Sequence, residues 1–455
     1  MAAKYSIFAA SLSIPDTVRN HYLFAILFFF LCNSTLHAQL QSGPMVGYSE
    51  MREVLLWAQT NQPAKVKFVY WDQAQPAKRF STEEVYTQKQ TAYSARLVAD
   101  QVLPGKKYGY ELQINGKKVA RPYPLEFQTQ VLWQWRTDPP AFRFAFGSCA
   151  YVNEPEFDRP GTPYGSHYEI FSSIHQQKPD FMVWMGDNTY TREADWNTRT
   201  GIMHRYTHTR SLPELQPLLA STHHYATWDD HDYGPNDGDR SFWLKNTSLE
   251  AFKLFWGNPN FIFDEGVTGT FQWADVQFFL LDDRYFKSPN DNKVVERTIL
   301  GKRQFDWLID ALSFSQASFK FVVVGGQVLN PAQVAENFST YPEEREKLIR
   351  TITEAKIPGV IFLDGDRHHS VLSKLDRNGT YPLYDFTISP LTAGPGKPSA
   401  NENNSLMVAG TLVTEHNFAL AEVSGTRTDR VLKVSVMNAG GQVLWTREIK
   451  ASELK

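Results

Sequence analysis

Two cysteines in 455 residues are too few to build a disulfide scaffold, so the chain must hold its fold by burial instead. Charge of one sign is also missing. The formal net charge is −3 with no sustained Lys/Arg run, which leaves no nucleic-acid-binding patch evident. Long apolar runs are scarce: YLFAILFFFLC, Tyr22–Cys32, is the longest and is too short for a spanning helix. No other stretch is apolar enough, so no transmembrane segment is expected in the mature chain. There is no Arg-Arg pair, which argues against twin-arginine export, and no internal repeat.

What is present is a 42% hydrophobic, 14% aromatic chain, enough for large cores in two domains or one large domain plus a module. Residues 1–38 read as a secretory signal peptide. Lys4 and Arg19 precede the apolar run, and LHA, Leu36–Ala38, offers a cleavage site before Gln39. The alternative is an uncleaved anchor. A periplasmic or secreted location is expected. Cys32 would leave with the signal, and Cys149, then alone, could form no internal disulfide. In an oxidising compartment such a thiol is expected to be buried or bound to a metal.

From 43 to 130 short alternating segments (VLLWAQT, AKVKFVYW, TAYSARLVA, KYGYELQING) predict a β-sandwich of fibronectin type III-like form. LPGKKYGYEL supplies a corner before a late strand. Residues 131–141, with paired prolines, read as a linker. From 142 to 455 apolar strands alternate with helices. SHYEIFSSI predicts a helix with a capping box from Ser166 to Glu169, burying Ile170, Phe171 and Ile174. KRQFDWLIDAL puts Phe305, Leu308, Ile309 and Leu312 on one face. VLKVSVMNAGGQVLWTREI predicts a hairpin turning through Asn438–Gly441, and 391–404 predicts a loop that rims a site or moves freely.

The chemistry collects where strands end. FRFAF runs into GSC149, DFMVW into Asp187 and Tyr190, HYATW into Asp229–Asp232, FKFVVV into Gln327, and GVIFL into Asp364, Asp366, His368 and His369. Ligands of α/β sheets bind beyond these carboxyl ends, because the loops converge there. Carboxylates this dense repel unless cations lie among them, so the convergence predicts a metal site. Thiolate and phenolate suit a transition metal, whereas carboxylate and amide oxygens suit Ca²⁺, Mg²⁺ or Mn²⁺. DYGPNDGD is no EF-hand: its glycine is out of register and no glutamate closes the loop. Plainer readings stand beside these: Cys149 a buried apolar thiol, Asp187 a helix cap, Tyr190 a core ring, Gln327 a satisfied amide, and Asp229 and Asp232 partners behind the ligands. His369 reads as structural, and Asp282 and Arg284 as a salt bridge at the rim or directly behind the ligands.

The set GSC, GDNTY, WDDHDYGPND, LGKRQFDWL and LDGDRHHS resembles the alkaline phosphatase D (PhoD) family of metallophosphoesterases, related to purple acid phosphatases. The likeness runs from about Ala141 to the C-terminus. It implies a four-layer α/β/β/α fold and an alkaline phosphomonoesterase using Fe³⁺ with Ca²⁺, Mn²⁺ or Mg²⁺ being possible substitutes. By the same resemblance Cys149, Asp187, Tyr190, Asp230, Gln327, Asp366 and His368 are the expected metal ligands, with Asp187 bridging. His231 is the expected catalytic residue, clamping the phosphoryl group or giving a proton. Asn188 and Arg367 are expected at the substrate, Arg367 facing either phosphate or protein. Asp232 departs from the glutamate of other members. Substrates would be small phosphate esters or phospholipids, attacked in line by a water that the metals activate. Two alternatives remain: phosphodiesterase or phospholipase D-like cleavage at the same site, and a non-catalytic, calcium-stabilised binding module.

Overall fold

Phenylalanines at every second position of FRFAFG, with the small Ala145 and Gly147 on the other face after Arg143, make a strand that can be buried on both faces toward its end. In the computed structural model, which describes residues 39–292, 294–399 and 402–455, this segment is β10 (Phe142–Gly147). The expected signal peptide and Cys32 lie outside the described residues.

The strands before it are β1 (Leu40–Ser49), β2 (Val54–Thr60), β3 (Lys65–Asp72), β4 (Phe80–Ser81) and β5 (Val85–Tyr86). They continue as β6 (Ser94–Ala99), β7 (Lys107–Ile114), β8 (Lys117–Lys118) and β9 (Glu126–Gln128). After β10 come α1 (Glu169–Gln176), β11 (Phe181–Met185), α2 (Arg199–Arg210), α3 (Gln216–Ser221) and β12 (His223–Thr227). Next are the one-turn α4 (Asp230–Tyr233), α5 (Lys245–Phe255), β13 (Gly269–Trp273), β14 (Val276–Leu280) and α6 (Gly301–Phe314). Then follow β15 (Phe319–Val323), α7 (Pro342–Glu354), β16 (Val360–Asp364), β17 (Val371–Leu375) and β18 (Leu383–Thr387). The chain ends in β19 (Asn417–Ser424), β20 (Val431–Asn438) and β21 (Val443–Lys450).

One sheet runs β21-β20-β19-β10-β11-β12-β1-β2-β6, and a second runs β13-β14-β15-β16-β18-β17. β10, β11 and β12 are parallel neighbours, as are β14, β15 and β16, because each crossover passes through helices. The two sheets face each other across an aromatic core. Phe144 meets Phe278 at 5.2 Å and Phe321 at 5.4 Å between ring centroids. The outer face of the first sheet, with Met182 and Trp184, packs on Phe171, Ile174, Leu218 and Phe252 of its helices. On α6 the side chains of Phe305, Leu308 and Leu312 are buried toward the second sheet, with Ile309 partly buried beside them. At about 1.5–3 kcal/mol for each fully buried large apolar side chain, this stripe holds the helix in place. Four layers, α/β/β/α, result.

The N-terminal strands divide between two sheets. β4-β3-β7-β8 form one, with β5 and β9 at its sides, while β1, β2 and β6 extend the nine-stranded sheet through a parallel pairing of β1 with β12. In the predicted corner the Tyr108 hydroxyl accepts from the Leu103 amide at 2.8 Å. The C-terminal hairpin turns at Asn438–Gly441, as its sequence predicts. The capping box does not form where expected. α1 starts at Glu169 with Tyr168 at its N-cap, and the Ser166 hydroxyl donates to His167 O instead. A capping box does form at α4, where Asp229 is the N-cap and Asp232 the third residue.

Candidate metal centre

Each strand end turns sharply. Cys149, Asp187, Asp366 and His368 all have left-handed backbones, with φ of 60°, 52°, 65° and 54°. Such conformations cost about 1–3 kcal/mol each for residues other than glycine and persist where the surroundings dictate them. Gly186 explains one turn: its φ is 96°, and a Cβ there would lie 2.6 Å from Asp229 Cβ. At Gly325, after β15, a Cβ would collide with the carboxylates of Asp229 and Asp283. The loops are also tied together. Ala150 N donates to Asp187 O at 2.8 Å, and Gly365 N to Gly325 O at 2.8 Å.

The donor atoms of Cys149, Asp187 and His368 lie within 4.8 Å of one another, as do those of Asp187, Asp230 and His231, and of Asp187, Asp229 and Asp366. Asp187 belongs to all three groups. Cys149 Sγ is 3.7 Å from Asp187 Oδ2 and accepts from the Ser389 hydroxyl at 3.1 Å. The Tyr190 hydroxyl is 3.1 Å from His368 Nε2. The Tyr190 ring stacks on His231 at 4.3 Å and leans on Tyr151 at 5.0 Å. The backbone N–H of His231 donates to Asp187 Oδ1 at 3.2 Å and Asp230 Oδ1 at 2.9 Å, while its Nδ1 is buried without a partner among the described residues.

Gln327, Asn188 and Arg367 are placed differently. Gln327 donates from Nε2 to Thr387 Oγ1 at 2.9 Å and accepts from Asn330 at Oε1 at 2.8 Å. Asn188 turns its Nδ2 to Thr227 O at 2.7 Å. Arg367 is held by Glu402 at 2.8 Å and by Asn337 Oδ1 at 3.3 Å. Ser148 donates to Ile388 O at 2.9 Å, which fits a structural residue.

The electrostatics are those of anionic donors crowded away from water. Burial pushes the Cys149 thiol up to about 11. Burial, then the charges of Asp230 and Cys149, raise Asp187 well above the carboxylate range. Burial, then Asp187 and Cys149, do the same to the Tyr190 phenol. Burial raises Asp232 to about 8, offset in part by the Asp229 and Asn188 amides that its carboxylate accepts. Asp230 goes the other way: burial opposes its charge, but His231 and Arg284 outweigh it. Further carboxylate oxygens, on Asp229, Asp232 and Asp283, are buried without hydrogen-bond partners among the described residues. A cation reverses this balance and deprotonates thiol and phenol alike. The donor set therefore fits metal ions, with thiolate, phenolate and imidazole at one end and carboxylates at the other.

Some charged neighbours were not foreseen in the sequence. Asp237 and Glu336 lie with Asp230 in a fourth acidic group. Arg284, expected to pair with Asp282 at the rim or behind the ligands, lies in the interior and pairs with Asp229 and Glu336, and Lys287 pairs with Glu336. Glu336 lies in an irregular loop with no periodicity to mark it. Arg284 had a sequence signal in LDDR, but nothing local to tie it to Asp229.

A PhoD-like phosphatase family model matches residues 262–428, which include Gln327, Asp366 and His368, and a domain of unknown function matches residues 37–132. Alkaline phosphatase D of Bacillus subtilis (strain 168) is 24% identical over 341 residues, spanning 62% of this chain and 54% of that relative. The match thus covers about half the length of this relative. The structure of PhoD superposes with a TM-score of 0.74 at 18% identity, covering 93% of each chain. Purple acid phosphatase PPD1 from yellow lupin (Lupinus luteus) superposes with a TM-score of 0.67 at 11% identity, over 90% of this chain and 74% of its own. Over part of its sequence and most of its fold this chain is similar to alkaline phosphatase D, with residues 262–428 matching the PhoD-like phosphatase model.

Proposed function

We propose that the chain is a metal-dependent phosphoric ester hydrolase, an alkaline phosphomonoesterase exported from the cell. The observation that carries this reading is the meeting of Cys149, Asp187, Asp230, Asp366 and His368 from four strand ends around the shared Asp187. Cys149, Asp187, Tyr190, Asp366 and His368 would hold Fe³⁺, and Asp187 with Asp230 would hold Ca²⁺ beside it. Gln327 would join them through Oε1, whose second lone pair is not taken by Asn330. Metals held there would supply positive charge to the phosphate oxygens and a nucleophile from water near neutral pH.

The remaining work falls to the chain. Tyr190 and the Thr191 side chain fix His231, the first by stacking and the second by donating to His231 O at 3.0 Å. His231 is thereby left with an unengaged ring nitrogen, suited to steady charge developing on phosphorus or to protonate the leaving alcohol. Burial lowers its pKa, and the neighbouring Asp230 carboxylate opposes that shift. Arg284, buried among Asp229, Asp283 and Glu336, offsets the surrounding carboxylates. Arg367, engaged by Glu402, would hold the loop over the site rather than the phosphate. Among the described residues no helix is long and apolar enough to cross a membrane. Export is supported by the apolar run Tyr22–Cys32 and the LHA sequence after it.

The test is release of phosphate or alcohol from chromogenic mono- and diesters above neutral pH, before and after chelation. Hydrolysis of the monoester that chelation abolishes supports the reading. A preference for diesters would replace monoesterase by diesterase, and turnover of neither ester would overturn it.

A further inference from the structure

His368 is gripped at both ring nitrogens. Its Nδ1 lies 2.8 Å from Gly394 O and 3.0 Å from the Tyr164 hydroxyl, while Nε2 faces the Tyr190 hydroxyl. A carbonyl oxygen can only accept, so Nδ1 carries the proton and Nε2 presents a lone pair. His368 offers a ring nitrogen within 4.8 Å of the donor atoms of Cys149 and Asp187.

The backbone alone does not secure this orientation, because His368 sits at φ 54° in a turn between strands. Two loops clasp it instead. Gly165 bridges Ala393, and Ser166 N donates to Thr392 O at 2.9 Å. Gly396 N donates to His368 O at 2.6 Å. Gly394 lies under the Tyr164 ring, where a Cβ would stand 3.3 Å from Cε2. The Tyr164 ring also meets Tyr151 edge-on at 5.0 Å and lies 5.7 Å from the His368 ring. Tyr164 is 45% exposed, so burial of its ring gives little reason for a large aromatic there. The hydroxyl at Nδ1 is the feature phenylalanine would lack.

We propose that Tyr164 is a positioning residue of the metal centre: with Gly394 O it fixes the ring plane and tautomer of His368, so that Nε2 is presented to the metal. This rests on the group being a metal centre. Hydrogen-bond partners behind a ligating histidine hold its orientation and raise its basicity, and their loss typically costs about 10–100-fold in metal affinity.

The experiment compares wild type and Tyr164→Phe, both metal-loaded, across a graded series of EDTA concentrations, with retained metal read by elemental analysis. The thermal midpoints of both fully chelated proteins are measured alongside. The expected result is that Y164F loses half its metal at about tenfold lower chelator, while the chelated midpoints coincide. Equal chelator resistance would overturn the role of Tyr164 and leave the metal centre intact. A lower midpoint for chelated Y164F would also overturn it, making the hydroxyl a general support of the loop. A wild type that holds no metal would overturn the centre itself, and Tyr164 with it.

Discussion

Removing one carboxylate charge should stabilise the metal-free protein and weaken the metal-loaded one. Asp366 is the clearest case. Burial holds its carboxyl at about 6 against an ordinary value near 3.8, with Arg367 lowering it and Asp230 raising it. At 1.36 kcal/mol per pH unit the difference amounts to about 3 kcal/mol. The side chain is only partly buried, so solvent screening reduces this to about 1–2 kcal/mol. Below about pH 4 the group is protonated folded and unfolded, and contributes nothing. As pH rises toward 6 the unfolded chain ionises while the folded one resists, so the metal-free protein loses stability, fully so above about pH 6. Asp366→Asn abolishes that loss. After exhaustive chelation the variant should match wild type at pH 4 and exceed it at pH 8. With a urea slope of about 3 kcal/mol per M, the midpoint gain is about 0.5 M. Restoring metal should invert the order at pH 8, because wild type then gains binding energy that the variant has lost. No pH-dependent gap in the chelated proteins, or a less stable variant at pH 8 without metal, would refute the reasoning.

Two other outcomes follow from the site. His231→Ala should lower turnover by about 10²–10³ while keeping its metal, because its ring nitrogen is expected at the substrate; simultaneous loss of metal would make it a ligand. If Tyr190 binds Fe³⁺ as phenolate, concentrated protein should be purple or blue, and Tyr190→Phe should shift or remove the band while conserving the packing on His231 and Tyr151; a spectrum indifferent to that change would exclude Tyr190 as a ligand.

Much of the fold was legible because apolar strands announce themselves. FRFAF, DFMVW, HYATW, FKFVVV and GVIFL all form strands, and the residues that follow them approach one another for the topological reason that parallel neighbours share one end. The parallel pairing of β1 with β12 was not legible, since Val46 and His223 are far apart in sequence and no local pattern records such contacts. The Ser166 box misled because the motif fits the start of α1 only if the helix begins earlier than it does. Conversely, the density of aspartates in WDDHDYGPND hid an ordinary device. Asp229 and Asp232 cap α4, and through it set the backbone that carries Asp230 and His231. Glu336 and Tyr164 lie in irregular loops, where neither periodicity nor spacing marks a residue whose importance comes from what folds against it.

The account stands most directly on metal bound at the strand ends. Elemental analysis of the purified chain beside an Asp187→Asn variant measures it, since Asp187 belongs to three of the donor groups. The account predicts iron with a second cation in the wild-type protein, and marked loss of both in the variant. A wild type free of metal yet fully active, or a variant with undiminished metal, would contradict it.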